Sequence, residues 1–356
     1  MQASTDIVVV LPNWIGDAIM ATPMLRALRK QFSPEQRIVG VMRPYVAAIF
    51  EDEPWFDEVV LQDRDGRRGG LRLVPLIRHF RARRPETMIV LASSLRFGLL
   101  ALLSGARRRV GYRRNFRGWM FTHPIPFSLV REDGRKATVI EQYLDLAYTL
   151  GCPVESPQPQ LNVTPADEAG ADLVWTNLGF TSRQRVVAIN PGGANGSSRN
   201  WEPARFVQLA QRIVDLAPDL RVLMMCGPAE RELADRVAAD AQRPQVQSMA
   251  QQDMRLGVTK GCLRRVTALV SGDHGLRHIA GALATPTVCL EGPMDGERTY
   301  SGNPYETRVR VDLPCRPCNK QECPLGHKQC MTDLTVEQVM ATVAQTLSPK
   351  RVLHVA

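Results

Sequence analysis

Residues 270–283 read VSGDHGLRHIAGAL, and no other stretch of the chain says more about its architecture. An apolar strand runs into Gly-Asp-His-Gly and then directly into a helix. The first turn of a helix has backbone N–H groups without partners and the positive end of the helix dipole, so a phosphate is stabilised there. Glycine allows the phosphate oxygens to approach the backbone closely. The stretch therefore predicts a strand, turn and helix that bind an anion.

Two side chains of this turn have both a ligand-binding and a plainer interpretation. Asp273 can bond a ribose or backbone N–H groups, and His278 can donate to a pyrophosphate oxygen. In the plainer interpretation Asp273 is the N-cap of the helix and His278 is a satisfied, half-buried histidine. The local motif leaves both interpretations open.

Short apolar runs alternate with amphipathic stretches on both sides of this turn, a pattern typical of parallel sheets covered by helices. The predicted strands are Ile7–Leu11, Arg37–Met42, Glu58–Leu61, Thr87–Leu91, Val186–Asn190, Val222–Cys226, Ala268–Ser271 and Thr287–Leu290. A proline-rich polar stretch at 151–160 separates two halves. We expect an α/β protein with one domain at 1–160, a second at 161–345 and a tail at 346–356. Neither half has Gly-x-Gly-x-x-Gly after its first strand, which disfavours a nicotinamide-dependent dehydrogenase.

The composition fits two ordinary domains. The chain has 356 residues, of which 44% are hydrophobic, and each half is long enough for its own core. The formal net charge of +9 favours an anionic partner such as a nucleotide, an acidic glycolipid, a membrane surface or nucleic acid. The apolar run Ile7–Leu11 is too short for a signal peptide, and Arg96 interrupts the longest apolar stretch. We therefore expect a cytoplasmic protein without a membrane span.

The turn after the first predicted strand carries a second candidate residue. Residues 12–23 read PNWIGDAIMATP, and a helix predicted over Asp17–Phe32 buries one apolar face. Asp17 then lies at the start of that helix, where a carboxylate can take a proton from a hydroxyl. The helix dipole favours the ionised form that a base requires. The segment alone favours the alternative, an ordinary first-turn aspartate that stabilises the helix.

Several motifs acquire specificity from their order and spacing. They are GDAIMATP at 16–23, NPGG at 190–193 followed by RNW at 199–201, GPAE at 227–230, GDHG at 272–275 with His278, and a cysteine-rich segment at 315–330. Together they resemble, over nearly the whole chain, the bacterial ADP-heptose:lipopolysaccharide heptosyltransferases of glycosyltransferase family 9, closest to the heptosyltransferase II branch. The resemblance implies a GT-B fold, in which two Rossmann-like domains face each other across a cleft. It implies that the first domain binds the acceptor and the second binds the ADP-sugar.

The resemblance also implies a role for each matching residue. Asp17 would be the general base in an inverting transfer from ADP-L-glycero-D-manno-heptose to the inner core of lipopolysaccharide. Arg199 stands where the family usually has lysine, and it would stabilise the departing ADP with a planar, two-pronged group. The residues implied to surround the donor are Gly192, Gly193, Ala194, Asn195, Glu230, Asp273, His274, Gly275 and His278. The chemistry then requires no cofactor.

Two departures from the family concern the choice of donor. His274 stands where the family commonly has Thr or Ser; an imidazole can still bond a phosphate, more strongly if protonated, but it is larger. Arg277 is also unusual and is expected to add positive charge near the helix start. The alternatives to an ADP-heptose transferase are a GT-B transferase that uses another nucleotide sugar, and a catalytically silent paralogue that binds nucleotides or glycans.

Half of the eight cysteines lie in the cysteine-rich segment, at Cys315, Cys318, Cys323 and Cys330. The first pair has metal-ligand spacing and the second does not, so structural zinc is one interpretation. Reduced structural cysteines are favoured over it, and disulfides or an iron–sulfur cluster are the remaining options. The other four cysteines lie in apolar segments and are expected in the core.

A dense run of arginines is interleaved with aromatic residues at 107–119, which read RRRVGYRRNFRGW. In the family interpretation this basic aromatic segment faces the anionic lipid A-core acceptor or the inner face of the cytoplasmic membrane. Nucleic acid is the rival partner, since arginine with aromatics also suits phosphates and bases, but we expect none. A merely solvated basic loop is a third interpretation.

Overall fold

The structure is a computed structural model, and it describes residues 4–32, 36–63, 70–192 and 198–348. The chain divides into two compact units, Met1–Asn162 and Val163–Ala356. Each unit is built on a parallel β-sheet of its own.

The elements of the first unit, in chain order, are β1 (Ser4–Val10), α1 (Ile15–Met20), α2 (Thr22–Gln31), β2 (Ile38–Met42), α3 (Pro44–Ala47), β3 (Glu58–Leu61), α4 (Leu73–Arg83), β4 (Pro85–Val90), α5 (Leu95–Leu103), β5 (Arg108–Arg113), β6 (His123–Pro126) and α6 (Val139–Tyr148). The predicted helix over Asp17–Phe32 is in fact two helices, since the first ends at Met20 and the second begins at Thr22. Pro23 explains the break, because proline is favoured in the first turn of a helix and disrupts the interior.

The second unit repeats the alternation. Its elements are α7 (Pro165–Asn177), β7 (Arg185–Asn190), α8 (Pro203–Leu216), β8 (Leu220–Met224), α9 (Arg231–Asp240), β9 (Val246–Ser248), α10 (Leu256–Arg265), β10 (Ala268–Gly272), α11 (Gly275–Ala282), β11 (Thr287–Leu290), β12 (Glu306–Val309), α12 (Gln329–Thr332) and α13 (Val336–Leu347). α7 and α13 each begin with a capping box, at Thr164 and Thr335, which supplies the helix with its first hydrogen-bond partners.

Both sheets have the same topology. The first has the strand order β3-β2-β1-β4-β5-β6, and the second has β12-β11-β10-β7-β8-β9, which is the same order read from the other edge. Every neighbouring pair is parallel. This is the Rossmann order, so the expectation of an α/β protein with two Rossmann-like domains, as in the GT-B fold, is confirmed.

Burial explains why the central strands were recognisable in the sequence. β2 is buried at all five positions, and so is β10. Strands covered by helices on both faces become continuous apolar runs. In the first unit, Val8, Val39 and Met88 pack in one core with Phe80 of α4 and Leu100 of α5. All eight predicted strands therefore appear, within three residues of their predicted ends.

The four strands that the sequence did not predict are β5, β6, β9 and β12. All except β5 are edge strands of three or four residues. β5 contains three arginines, and β12 contains a glutamate and an arginine, so neither strand is a continuous apolar run. No helix within the four described ranges is long and apolar enough to cross a membrane. Arg96, which interrupts the longest apolar stretch, lies in the nine-residue α5.

Candidate active site

The sheet topology itself indicates where ligands bind. In an open sheet of this order, the ligand site lies at the carboxyl ends of the first and fourth strands, where the direction of strand addition reverses. In the first unit these are β1 and β4, and β1 leads directly into the turn that carries Asp17. In the second unit they are β7 and β10, which lead into residues 191–202 and into Gly272-Asp273. The motifs chosen from sequence therefore lie at the expected edge of each sheet.

Asp17 lies in the first turn of α1 and is half-buried. The turn before it is held by Asn13, whose Oδ1 accepts hydrogen bonds from Arg43 Nε at 3.2 Å and from Gln62 Nε2 at 3.1 Å. The Tyr45 hydroxyl donates to the backbone carbonyl of Asn13. Arg43 and Gln62 directly follow β2 and β3. Asn13 thus ties the carboxyl ends of three strands together next to the proposed base.

A buried cation lies at the carboxyl end of β4. Arg117 is 1% exposed and donates to the backbone carbonyls of Ala92 and Ser94. Burial, followed by the charge of Arg114, lowers the pKa of Arg117 to about 10. In the described part of the unit no carboxylate forms an ion pair with it. An arginine buried without a carboxylate is rare, and this one gives the ligand edge of the first sheet a positive charge.

In the second unit, Asn190 at the end of β7 connects three strand ends. Its Nδ2 donates to the carbonyl of Met225 at 3.0 Å, and its Oδ1 accepts from Ser271 Oγ at 3.4 Å. Met225 follows β8, and Ser271 lies in β10. The Asn190 side chain therefore fixes the edge at which the turns of β7, β8 and β10 begin.

Glu230 lies across this edge, close to two glycines. A Cβ on Gly227 would lie 2.8 Å from Glu230 Oε2, and one on Gly192 would lie 3.0 Å from Glu230 Cγ. Any larger residue would displace the Glu230 side chain. The carboxylate thus reaches the carboxyl end of the sheet, as its expected contact with a nucleoside requires. Gly193, Ala194 and Asn195, expected beside it, lie outside the described residues.

Asp273 is occupied by protein partners on both oxygens. Its Oδ1 is 2.5 Å from Arg277 NH1, and its Oδ2 accepts from Thr299 Oγ1 at 3.2 Å. Burial raises the pKa of Asp273, but the charges of Arg277 and His278 outweigh it, so the pKa lies well below the usual range. Asp273 is not the helix N-cap, because His274 holds that position and its side chain forms no capping bond. The plainer interpretation of Asp273 is therefore wrong.

Arg277 does not present its charge to a ligand as expected. Its side chain is fully buried, and its NH2 and Nε each lie 2.8 Å from a different oxygen of Glu306. Together with the contact to Asp273, the guanidinium is surrounded by two carboxylates. Glu306 and Thr299 were not identified from the sequence, because they belong to β12 and the preceding loop, far from any recognisable motif.

The two histidines of the turn differ in their surroundings. The His274 ring folds back over the end of β10, where a Cβ on Gly272 would lie 2.8 Å from His274 Nε2. Burial lowers the pKa of His274 to about 4, so the ring is neutral at pH 7. His278 is 5% exposed, with Nε2 3.6 Å from Asp273 Oδ1, and its buried Nδ1 has no partner among the residues described. The plainer interpretation of His278, a histidine with all its hydrogen bonds satisfied, is therefore wrong.

Arg199 shares the site with His274. Both side chains line one small cavity together with Gly272 and Asn200. This cavity has no room for a water molecule. The charge of Arg199 contributes to the lowered pKa of His274, after burial and against the effect of Asp273. Within the part of the chain that the structure covers, Arg199 Nε and Asn200 Oδ1 are buried without hydrogen-bond partners. A buried polar atom without a partner calls for an explanation, and these two lie together at the ligand edge of the sheet.

The cysteine-rich segment holds the arm that carries Arg199. Ser198 Oγ lies 2.5 Å from the carbonyl of Gln321, and Trp201 Nε1 donates to the carbonyl of Leu334 at 2.8 Å. At its other end the segment is fixed by Arg316, which donates to Glu291 Oε1 at 2.8 Å. A pocket of about 400 Å³ also opens beside Trp201; its lining includes two cations, Arg236 and Lys328. The segment therefore forms part of the wall around the Arg199 arm.

All eight cysteines are free thiols. Cys152, Cys226, Cys262 and Cys289 are buried, so the prediction that they belong to the core is confirmed. Hydrogen bonds from backbone N–H groups, first that of Lys328, lower the pKa of Cys323, whereas burial raises that of Cys330. In the described ranges, no three residues of metal-ligating type are arranged to hold a metal ion. The zinc expected at Cys315, Cys318, Cys323 and Cys330 stays a prediction.

The lowered pKa of His274 predicts a loss of stability in mild acid. The folded protein keeps His274 neutral down to about pH 4, whereas the unfolded chain takes up that proton below about pH 6.5. The unfolded state then binds more protons, so the free energy of unfolding falls as the pH drops from 6.5 to 4. His274→Gln removes this contribution, and we expect its melting temperature to depend less steeply on pH in thermal unfolding at pH 7 to 4.5. His79, whose pKa burial also lowers, contributes equally in both proteins; equal slopes for wild type and variant would contradict the prediction.

Comparison with known proteins identifies relatives of this chain. The sequence matches the family described as glycosyltransferase family 9 (heptosyltransferase) over residues 73–329. Lipopolysaccharide heptosyltransferase 2 of Salmonella typhimurium is 23% identical over 365 residues, which cover 97% of this chain and 99% of the relative.

Solved structures show the same fold. The structure of Escherichia coli ADP-heptose LPS heptosyltransferase II is 20% identical, with a TM-score of 0.76, and the match covers 96% of this chain and 98% of that one. A family 9 glycosyl transferase from Veillonella parvula is 21% identical, with a TM-score of 0.80 and coverage of 98% of each chain. Both likenesses extend over the two units rather than over one.

Proposed function

This chain belongs to glycosyltransferase family 9, and from that premise we propose that it transfers heptose from ADP-L-glycero-D-manno-heptose to the inner core of lipopolysaccharide. Full-length relatives named lipopolysaccharide heptosyltransferase 2 support the substrates. The observation that carries the proposal is the set of unpartnered polar atoms at the ligand edge of the second sheet, which are Arg199 Nε, Asn200 Oδ1 and His278 Nδ1. We assign the acceptor to residues 1–160 and the donor to 161–345; the predicted tail at 346–356 starts too early, because α13 ends at Leu347.

The proposed chemistry is a single displacement. Asp17 removes the proton from an acceptor hydroxyl, and the oxygen attacks the anomeric carbon of the donor. The new bond forms as the bond from that carbon to the diphosphate oxygen breaks, which inverts the anomeric centre. Negative charge then grows on ADP, and a cation fixed in advance stabilises it without reorganisation. Arg199 is that cation, because its guanidinium has no carboxylate or hydrogen-bond partner among the described residues to neutralise it.

The remaining residues at the edge bind rather than react. Glu230 accepts hydrogen bonds from the nucleoside. Gly275 and the neutral His274 offer N–H groups to the diphosphate at the start of α11, where the helix dipole favours an anion. His278 donates from Nδ1 in its doubly protonated form, since its Nε2 faces Asp273 Oδ1. Since the His274 ring occupies space above Gly272, donor binding requires that ring to turn away.

A nucleotide panel tests the donor. Wild-type protein is heated with ADP, UDP, GDP and their sugars, and a ligand at about a hundred times its Kd stabilises the folded state by about 2.7 kcal/mol. We expect a higher melting temperature with ADP and ADP-heptose only. Stabilisation by a uridine or guanosine nucleotide instead would favour the alternative transferase, for which the bulky His274 is the structural argument. Binding of ADP-heptose without transfer to a lipid A-core acceptor would favour the silent paralogue.

The basic aromatic segment supports a membrane-bound acceptor. Phe116 is 96% exposed and Trp119 is 70% exposed, and the exposed Arg113 and the half-buried Arg114 precede them in the chain. Aromatic side chains insert at the membrane interface, and juxtaposed arginines are attracted to anionic headgroups. We propose peripheral contact with the inner face of the cytoplasmic membrane at this segment.

Vesicle sedimentation tests this contact. We expect binding to vesicles of anionic phospholipid, weakened by salt and lost in the variant Phe116→Ser with Trp119→Ser. Val154→Ser is the matched control, because Val154 is an apolar residue of the same unit that is 90% exposed outside the segment. Equal binding by variant and control, or preference for single-stranded DNA over vesicles, would contradict the proposal.

The chemistry proposed here needs no cofactor. The zinc expected at the four cysteines stays a prediction. Elemental analysis of the purified protein measures it, and we derive no step of the reaction from a metal.

A further inference from the structure

Arg277 is the most deeply buried charge in the second unit's ligand edge. Its side chain is fully buried, and arginine is almost never buried unless it is paired. Two of its nitrogens bind the carboxylate of Glu306 on β12, and the third, NH1, reaches Asp273 on the turn before α11. An ion pair with Glu306 alone would satisfy the need for a partner. The third contact links that pair to the ligand edge.

The pair with Glu306 is itself rigid. Glu306 is 1% exposed and also accepts from Ser301 Oγ at 2.6 Å and from Arg308 Nε at 3.0 Å. Burial raises the pKa of Glu306, but the hydrogen bonds and charge of Arg277 outweigh it and bring the pKa to about 2. Glu306 is therefore ionised at any working pH, and it holds the guanidinium plane in one orientation.

The remaining capacity of Asp273 determines what it can bind. An ionised carboxylate has about four lone-pair positions and no proton to donate. Arg277 uses one position on Oδ1, His278 Nε2 also faces Oδ1 at 3.6 Å, and Thr299 uses one position on Oδ2. The carboxylate repels a diphosphate and accepts hydrogen bonds from hydroxyls. The free positions therefore suit the hydroxyl groups of a sugar, either the ribose or the transferred sugar of the donor.

We propose that Arg277 is a positioning residue, which orients the Asp273 carboxylate and keeps it ionised so that it accepts hydrogen bonds from sugar hydroxyls of the donor. This inference rests on the proposed function, because it takes an ADP-sugar as the ligand. The positioning role goes beyond the proposed function, because it explains why an arginine is buried at this position. Arg277 acts through Asp273 and touches no ligand itself.

A double-mutant cycle tests the proposal by direct binding. The first variant, Arg277→Met with Glu306→Met, removes both charges together, because a single substitution would leave an unpaired buried charge and endanger folding. The second is Asp273→Asn, and the third combines all three substitutions. Calorimetry with ADP and with ADP-heptose measures each Kd. Arg265→Met is the control, since it breaks an arginine–carboxylate network with Glu168 and Asp172 in the same unit.

We expect the Arg277 and Glu306 pair variant to bind ADP-heptose about tenfold more weakly or worse, as for a shift of one pKa unit or more. In the Asp273→Asn background the same substitutions should add little, because coupled residues are not additive. Equal weakening of ADP and ADP-heptose identifies the ribose as the partner, and weakening of ADP-heptose alone identifies the transferred sugar. Additive losses, or unchanged affinity in a folded pair variant, would overturn the proposal.

The pH profile separates positioning from a merely structural role. The groups that face Asp273 are Arg277 and His278 on α11, His274 on the turn, Cys289 on β11 and Glu306 on β12. Wild type should bind ADP-heptose equally well from pH 7 to 5. The pair variant should lose affinity on the acid side, because burial then raises the pKa of Asp273 above its usual value of about 4. Arg277→Lys, which keeps the charge, should restore a flat profile.

The same measurements distinguish failure of the inference from failure of the proposed function. If wild type binds neither ADP nor ADP-heptose, the proposed function fails, and the inference fails with it. If wild type binds ADP-heptose and transfers heptose while the pair variant matches it at every pH, only the inference fails.

Discussion

Asp17→Asn is expected to abolish heptose transfer while donor binding persists. Asparagine has the same shape as aspartate but takes up no proton, and a general base contributes about 10²- to 10⁴-fold to a rate. The loss should appear in kcat, measured by ADP release with a lipid A-core acceptor. Asp17 lies in the first unit, so the Kd of ADP-heptose, whose proposed site lies in the second, should stay within about twofold.

Glu51→Gln is the matched control for this variant, because it neutralises an exposed carboxylate of the same unit. It should retain wild-type turnover. Wild-type kcat in Asp17→Asn would remove the base from the mechanism, and an unfolded variant would show instead that Asp17 stabilises α1, the alternative that its sequence favoured. Circular dichroism separates a folded, inactive variant from an unfolded one.

The second large effect is expected for Arg199→Ala. Removal of a group that stabilises transition-state charge costs about 10²- to 10³-fold in kcat. Arg199 is half-buried and forms no hydrogen bond with the described residues, so its removal should change the melting temperature little. Arg199→Lys keeps the charge but loses the two-pronged geometry, and we expect an intermediate kcat.

Arg212→Ala is the control for Arg199→Ala, since Arg212 forms an exposed ion pair with Glu337 in the same unit. Unchanged turnover in Arg199→Ala would exclude it from ADP departure. If Arg199→Ala instead lowers the melting temperature strongly along with kcat, Arg199 is assigned to the packing of the Trp201 arm.

The strands at the centre of each sheet could be predicted from the sequence alone. Strands such as β2 and β10 are covered on both faces and reveal themselves as apolar runs. β6 and β12 lie at edges, where one side is solvated and the residues are mixed, so their sequences carry no clear period. The same limit applies to α1 and α2, whose single apolar face hid the break before Pro23.

The candidate site was predictable only in its local parts. The Gly-Asp-His-Gly turn and Asp17 follow strands and precede helices, so their place at the sheet edge could be inferred. Arg277 was misjudged because its partner Glu306 comes 29 residues later in the chain, and sequence alone does not pair distant charges. The contact of Ser198 with the cysteine-rich segment is more remote still, because Gln321 comes 123 residues later in the chain.

The two sheets suggest how specificity can be exchanged. Every strand pairing described here stays within one unit, so a chimera that joins residues 1–162 to the corresponding latter half of another family 9 enzyme breaks no interstrand ladder. One parent would contribute the choice of acceptor and the other the choice of nucleotide sugar. Recombination at this single seam would then combine two recognition properties that arose in different enzymes.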